Sequence, residues 1–175
     1  SLKVIYLSST TAASVIDNTS ITTNTGQLTS IRIPQLGRTF SVANNLLDAT
    51  NLNLLFTDLR NLNGSISTSA RTIGNYGAGY AVGDLIQING GNNDARIKVL
   101  TLSGSAVATY QLMVAGTGYT VAGALTTTAI TGLGSGLKID VTALVATQTI
   151  TITGNPGAAT CTPAIATAKN WIVTN

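Results

Sequence analysis

Histidine and glutamate are both missing from this chain of 175 residues, so its six acids are all aspartates. Without histidine, a Ser-His-Asp or Cys-His catalytic group cannot form within one chain. Without glutamate the other common general base is gone as well. The aspartates are scattered, most of them beside turns or polar segments, which suits solvated turn positions better than a paired-carboxylate site. The chain is therefore expected not to be an enzyme and to need no cofactor.

Charge is scarce too. Only 9% of residues are charged, against roughly 25% in an ordinary soluble domain. The nine cations leave a net charge of +3 but form no run and no basic helix, so no phosphate-binding stripe and no nucleic-acid partner are expected. Low charge with a mean hydropathy of +0.34 leaves neutral surface that a lone monomer exposes at the risk of aggregation. An assembly subunit buries it against partners. Cys161 is the single cysteine, so no disulfide framework exists, and its reading is a small buried hydrophobe rather than a nucleophile. No apolar run approaches the roughly 20 residues of a membrane span. The opening "SLKVIYLSS" lacks the apolar core and cleavage site of a signal peptide. A first residue Ser1 is consistent with loss of an initiator methionine, and synthesis in a cytoplasm is the expectation.

What fills the space is threonine, glycine, alanine and asparagine, which suit pleated half-buried surfaces and turns better than long exposed helices. Leu2–Leu7 reads as a first strand, Asp17–Gln27 as a polar surface loop, and Leu28–Ile33 as an alternating strand that Pro34 ends. The sequon Asn18-Thr19-Ser20 in that loop has meaning only on a secretory route. One helix is expected near residues 51–63. Leu52, Leu55, Phe56, Leu59 and Leu62 make a stripe at helical spacing, with Thr50 or Asn51 as cap and Gly64 as the left-handed residue after the end. The stripe can pack on a sheet, or on copies of itself about an oligomer axis such as that of a trimer.

From Gly74 onward the texture is glycine-punctuated β structure. "GAGYAVGD" (Gly77–Asp84) returns in part as "GTGYTVAG" (Gly116–Gly123). The match continues, with Arg96–Val99 parallel to Lys138–Val141 and Val107–Thr109 parallel to Val145–Thr147. Loops differ in length while strands match, which marks a tandem repeat of a three-stranded meander over 77–115 and 116–154. In each copy the apolar residues (Ile97 and Val99, Ile139 and Val141) alternate with Arg96, Lys98, Lys138 and Asp140. Tyr110, Leu112 and Val114 share a face, as do Ile150 and Ile152. Asn89-Gly90 is a strong turn signal. Two copies are too few to close a propeller.

Other motifs dissolve into turns. "GGNNDARI" (Gly90–Ile97) resembles one calcium-binding nonapeptide, with Asp94 as the acid and Asp84 within reach across a hairpin. The second copy has no acid there, and calcium needs six to eight oxygens. A plain hairpin turn is favoured and no metal site is expected. "GLGSGLK" (Gly132–Lys138) lacks the Gly-Lys-Ser/Thr ending of a phosphate loop. "GAGYAVG" lacks the dinucleotide fingerprint. The matched Tyr80 and Tyr119 are either sugar-stacking platforms or, as repetition favours, groups that each cover the edge of their own hairpin.

The pattern G-x-G-Y-x-V-G-D, then an alternating strand, a Gly-Gly turn, a strand pair and a second G-x-G-Y, resembles the glycine-rich β repeats of bacteriophage virion proteins of the head-decoration, head-fibre and tail-fibre types. Gly77, Gly79, Tyr80, Val82, Gly83, Asp84, Gly90, Gly91, Gly116, Gly118, Tyr119 and Val121 carry the likeness. It covers about half of the chain; the second copy departs from it with Ala122-Gly123 in place of Gly-Asp, and residues 1–70 match nothing comparable. It implies a structural virion component, capsid-associated or fibre, that is made in the host cytoplasm, is homo-oligomeric, and has other virion proteins as partners. A glycan- or receptor-binding adhesin module, with Tyr76, Tyr80 or Tyr119 in a groove, is the alternative; a cell-surface layer protein is a third reading that the missing signal peptide disfavours.

The expected architecture is mainly β, an antiparallel sandwich or meander on two tandem three-stranded units with one short helix. Residues 1–70 would form a docking or oligomerisation region, 71–154 the repeats, and 155–175 a docked C-terminal strand.

Overall fold

A computed structural model of the chain describes residues 4–6, 28–67 and 71–175. The Asp17–Gln27 loop with its sequon and the ends of the Leu2–Leu7 strand lie outside those residues. The chain is mainly β, as its composition implies. It forms two compact units. One is the continuous stretch Asn63–Val145; the other is assembled from Ser1–Leu62 and Ala146–Asn175, on either side of the first in sequence. The division differs from a three-part reading at residues 70 and 154, because the last strand of the second repeat copy and the C-terminal strand join the N-terminal region.

The continuous unit holds β4 (Arg71–Ala78), β5 (Leu85–Ile88), β6 (Arg96–Ser103), β7 (Ala106–Val114), β8 (Ala122–Ala129) and β9 (Ser135–Val141). They make one six-stranded antiparallel sheet in the order β4-β9-β8-β5-β6-β7, curled until β4 and β7 approach each other and nearly close a barrel. Alternation builds its core. Ile86, Ile88, Ile97, Val99, Leu137, Ile139 and Val141 point inward and are buried, while Arg96, Lys98, Lys138 and Asp140 point outward. Each such aliphatic side chain contributes about 1.5–3 kcal/mol by leaving water.

The strand order exposes a symmetry that the linear repeat conceals. The first strands of the two copies, β5 and β8, lie side by side and antiparallel, with Ile86 opposite Ala129 and Ile88 opposite Thr127. The second strands, β6 and β9, flank them. The copies are thus related by a two-fold axis between β5 and β8. The third positions differ. β7 completes the first copy, whereas β4, which precedes both copies in sequence, stands beside β9. The strand that sequence assigns to that place, β10 (Gln148–Thr151), belongs to the other unit, between β3 and β11. There it is paired along both edges and buries Ile150 and Ile152 completely; beside β9 it would be a sheet edge.

In the discontinuous unit, β1 (Val4–Tyr6) pairs in parallel with β2 (Ser30–Arg32). β3 (Phe40–Ser41), β10 and β11 (Trp171–Thr174) form a three-stranded parallel sheet. α1 (Ala49–Asp58) begins earlier than its apolar stripe suggests, because Asp48 is the cap. Asp48 is extended and its carboxylate accepts from the Asn51 amide at 2.8 Å, which satisfies an end donor and holds its pKa below the ordinary value. The helix also ends early. Leu59 is extended at φ −58, ψ 139, so Leu52, Leu55 and Phe56 lie on the helix, and Leu59 and Leu62 lie on the segment that leaves it. All five are at most 1% exposed. The stripe is core within its own unit, and no face of it remains for an oligomer axis. Gly64 does not cap α1; it belongs to the other unit, at φ +61, where a Cβ would meet the backbone of Tyr119 at 2.6 Å.

Lys169, just after α2 (Ala164–Thr167), supplies what a C-terminal glycine would have supplied. Its ammonium donates to the carbonyls of Phe56, Thr57 and Leu59 at the open end of α1. Burial lowers its pKa, and Asp58 opposes that shift. Trp171 donates its indole N–H to the Arg60 carbonyl at 3.0 Å and stands edge-on to Phe40. Lys169→Met keeps the apolar stem but strands those carbonyls, so a loss of about 1–3 kcal/mol is expected in urea unfolding.

Candidate functional site

The two G-x-G-Y phrases begin the two copies at opposite ends of the barrel. In each, glycines at positive φ (Gly77 and Gly79; Gly116 and Gly118) let the backbone fold over its own tyrosine. The rings then cross to the other copy. Tyr80 lies on Gly134, in the β8–β9 turn, where a Cβ would intrude into the ring. Tyr119 lies on Gly91, in the β5–β6 turn, where a Cβ would sit 2.8 Å from the ring and 2.5 Å from the Thr117 carbonyl. Each copy therefore covers the other copy's turn. A reading of each tyrosine on its own hairpin misses this, because the two-fold axis is invisible in a linear repeat.

Both tyrosines are buried, which removes them as sugar-stacking platforms. The Tyr119 hydroxyl donates to the Ile88 carbonyl at 2.7 Å and accepts from the Ala95 amide at 3.2 Å, tying β5 to β6. Burial raises its pKa, against a lesser opposing effect of the Ala95 bond. Of the three tyrosines named for a glycan groove, Tyr76 on β4 is the one at the surface, 57% exposed.

Asp84 and Asp94, the two acids of the calcium reading, are also consumed internally. The buried Asp84 accepts from the Ala81 amide at 2.8 Å and faces Thr131 and Gly132. Asp94 accepts from the Thr117 amide at 2.9 Å and its hydroxyl at 2.8 Å. The two carboxylates stand at opposite ends of the β5–β6 hairpin and do not converge. Among the described residues no three His, Cys, Asp or Glu side chains gather into a metal-holding group. The Gly132–Lys138 segment is a turn running into β9, with no helix for a phosphate. Cys161 is half-buried, its thiol set toward the Ala158 carbonyl, and burial pushes its pKa up, away from the thiolate form.

The unexplained surface is aliphatic. Loop 79–84, the turn at Ile130–Gly134 and strand β6 meet at one end of the barrel. Gly83 donates to Val99, Ile130 donates to Leu85, and Gly79 stands 3.7 Å (from its Cβ position) from the Leu133 carbonyl. That end presents Val82 (64% exposed), Ile130 and Leu133 (95%), with Leu100 beside Val99. Ser105, whose carbonyl accepts from the Tyr80 amide, and Thr131, whose amide donates to the Leu85 carbonyl, adjoin these loops and carry no charge. The signal available in the sequence is a leucine between two glycines in a turn, "GLG" at Gly132–Gly134.

Comparison with protein-family models, with curated proteins and with solved structures finds no match. Among the described residues, no helix is long and apolar enough to cross a membrane.

Proposed function

We propose that the protein is a structural component of a bacteriophage particle, capsid-associated or fibre, made in the host cytoplasm and acting by self-assembly and packing without catalysis or cofactor. The observation that supports this is where the repeat motif spends its side chains. Its tyrosines and aspartates close the barrel on itself, and what is left outward at the repeat's end is aliphatic and uncharged. Such a surface suits packing against protein. Phage particles assembled without the chain test the reading: added protein is expected to co-sediment with them and to saturate at a fixed number of copies per particle. Absence of binding rejects it.

The exposed Tyr76 favours a second reading, a glycan-binding module on the particle surface. It predicts glycan-array binding that Tyr76→Ala abolishes while circular dichroism stays unchanged. Absence of glycan binding, or binding indifferent to Tyr76→Ala, counts against it.

A further inference from the structure

We infer that Asn63 is a site of spontaneous covalent modification. There Asn63-Gly64 loses ammonia, takes up water and becomes aspartate or isoaspartate followed by glycine. The chemically identical pair Asn89-Gly90 is protected by its hydrogen bonds. The reaction goes beyond the assembly reading and does not depend on it.

Asparagine followed by glycine is the pair most open to this chemistry, because glycine puts no side chain beside the attacking nitrogen. The glycine backbone nitrogen attacks the asparagine side-chain carbonyl carbon. A C–N bond forms, and the carboxamide nitrogen leaves as ammonia with the amide proton. Water then opens the cyclic imide at either carbonyl, giving aspartate or isoaspartate. At Asn89 each participant is engaged. The Gly90 amide donates to the Asn93 side-chain oxygen at 2.9 Å. The Asn89 carboxamide donates to the Thr126 hydroxyl and accepts from Gln87 and from the Thr128 hydroxyl, each at 3.1 Å. Asn63 is exposed, and among the described residues no acceptor meets the Gly64 amide. The position also matters to the barrel. The Asn63 carbonyl accepts from the Gly118 amide at 2.9 Å, and the Gly64 carbonyl from the Tyr119 amide at 3.0 Å. Isoaspartate routes the main chain through the side-chain carbons, which adds a backbone atom and turns the former Asn63 carbonyl into a carboxylate. The two acceptors then cannot keep their spacing opposite Gly118 and Tyr119.

The second pair is an internal control, because trypsin places the two on separate peptides, 61–71 and 72–96. The full chain is stored at mildly alkaline pH, digested, and its isoaspartate counted with an isoaspartyl methyltransferase and located by mass spectrometry. In the folded protein peptide 61–71 is expected to convert at least about tenfold faster than 72–96, since attack at Asn89 must first break the bonds that hold it. In guanidinium chloride the two rates are expected to converge. Asn63→Gln is expected to abolish conversion in 61–71. The modified fraction carries one more negative charge, so ion exchange isolates it, and its amide exchange is expected to be faster at Gly118 and Tyr119. The inference is overturned if the folded chain converts both peptides alike or 72–96 first. It is equally overturned if neither converts while the unfolded chain does, or if the difference between the peptides persists in guanidinium chloride. Unchanged exchange at Gly118 and Tyr119 in the modified fraction overturns the effect on the barrel.

Discussion

Tyr119→Ala is expected to cost about 3–5 kcal/mol, the range for removing a buried aromatic side chain, out of the roughly 5–15 kcal/mol of a typical domain. The ring fills the space over Gly91 and Gly116, and its hydroxyl serves two backbone groups at once. Urea unfolding should show the loss as a lower midpoint. Tyr119→Phe separates the two contributions. It keeps the ring, strands the Ile88 carbonyl and the Ala95 amide, and should cost about 1–3 kcal/mol. The hydroxyl also sets a pH dependence. Its folded pKa lies above the ordinary 10.0 because burial disfavours the phenolate. As pH rises past about 10 the unfolded chain releases this proton while the folded chain keeps it, so stability present below that pH is lost above it. Tyr119→Phe should flatten this alkaline decline relative to the wild type; equal slopes would show that the hydroxyl is not buried as described.

The second large effect belongs to the discontinuous unit. Asn155 is buried, and its side chain accepts from the Leu47 amide at 3.2 Å and donates to the carbonyls of Val42 at 2.9 Å and Ile152 at 2.7 Å. One side chain thereby holds the approach to α1, the segment that leaves β3 and the exit from β10. Asn155→Ala removes these side-chain bonds and leaves the buried Leu47 amide without its partner, while the Val42 carbonyl keeps the Asn45 side-chain amide and the Ile152 carbonyl keeps the residue-155 backbone amide, for an expected loss of about 1–3 kcal/mol. Amide hydrogen exchange should locate it, with protection falling at Leu47. Unchanged protection there would sink the assignment.

These two residues mark what the sequence makes legible and what it hides. Alternation from Ile86 to Val141 is local, and it shows the strands and their inward faces directly. The glycines of the repeat mark its turns for the same reason. The partner of a strand is not local. "QTITIT" at Gln148–Ile152 and its next residue look like a third meander strand in any linear comparison. Its parallel pairing with Phe40–Ser41 and Trp171–Thr174 depends on chain more than a hundred residues away on one side. The reciprocal seating of Tyr80 and Tyr119 follows from the two-fold axis, which exists only once β5 and β8 pair. At α1 the stripe identified the buried face correctly but not the ends. Those are set by Asp48 in the chain before it and by Lys169 from the far end of the sequence. The aliphatic end went unread because single exposed aliphatics are ordinary, and only the folded loops bring Val82, Ile130 and Leu133 together.

The interleaving of the two units orders events during synthesis. The barrel is one continuous stretch and can close as soon as Val145 has left the ribosome. The parallel sheet cannot: its middle and last strands, Gln148–Thr151 and Trp171–Thr174, are made after the barrel, while its first, at Phe40, has waited throughout. Until then Phe40 lacks the Trp171 ring that packs against it, and Val42 lacks the Thr151 carbonyl that takes its amide. Chains stalled or trimmed before Gln148 should thus carry a finished barrel and an N-terminal region that still lacks β10, α2 and β11, which makes the interval before Thr174 emerges one of exposure to chaperones and to misassembly.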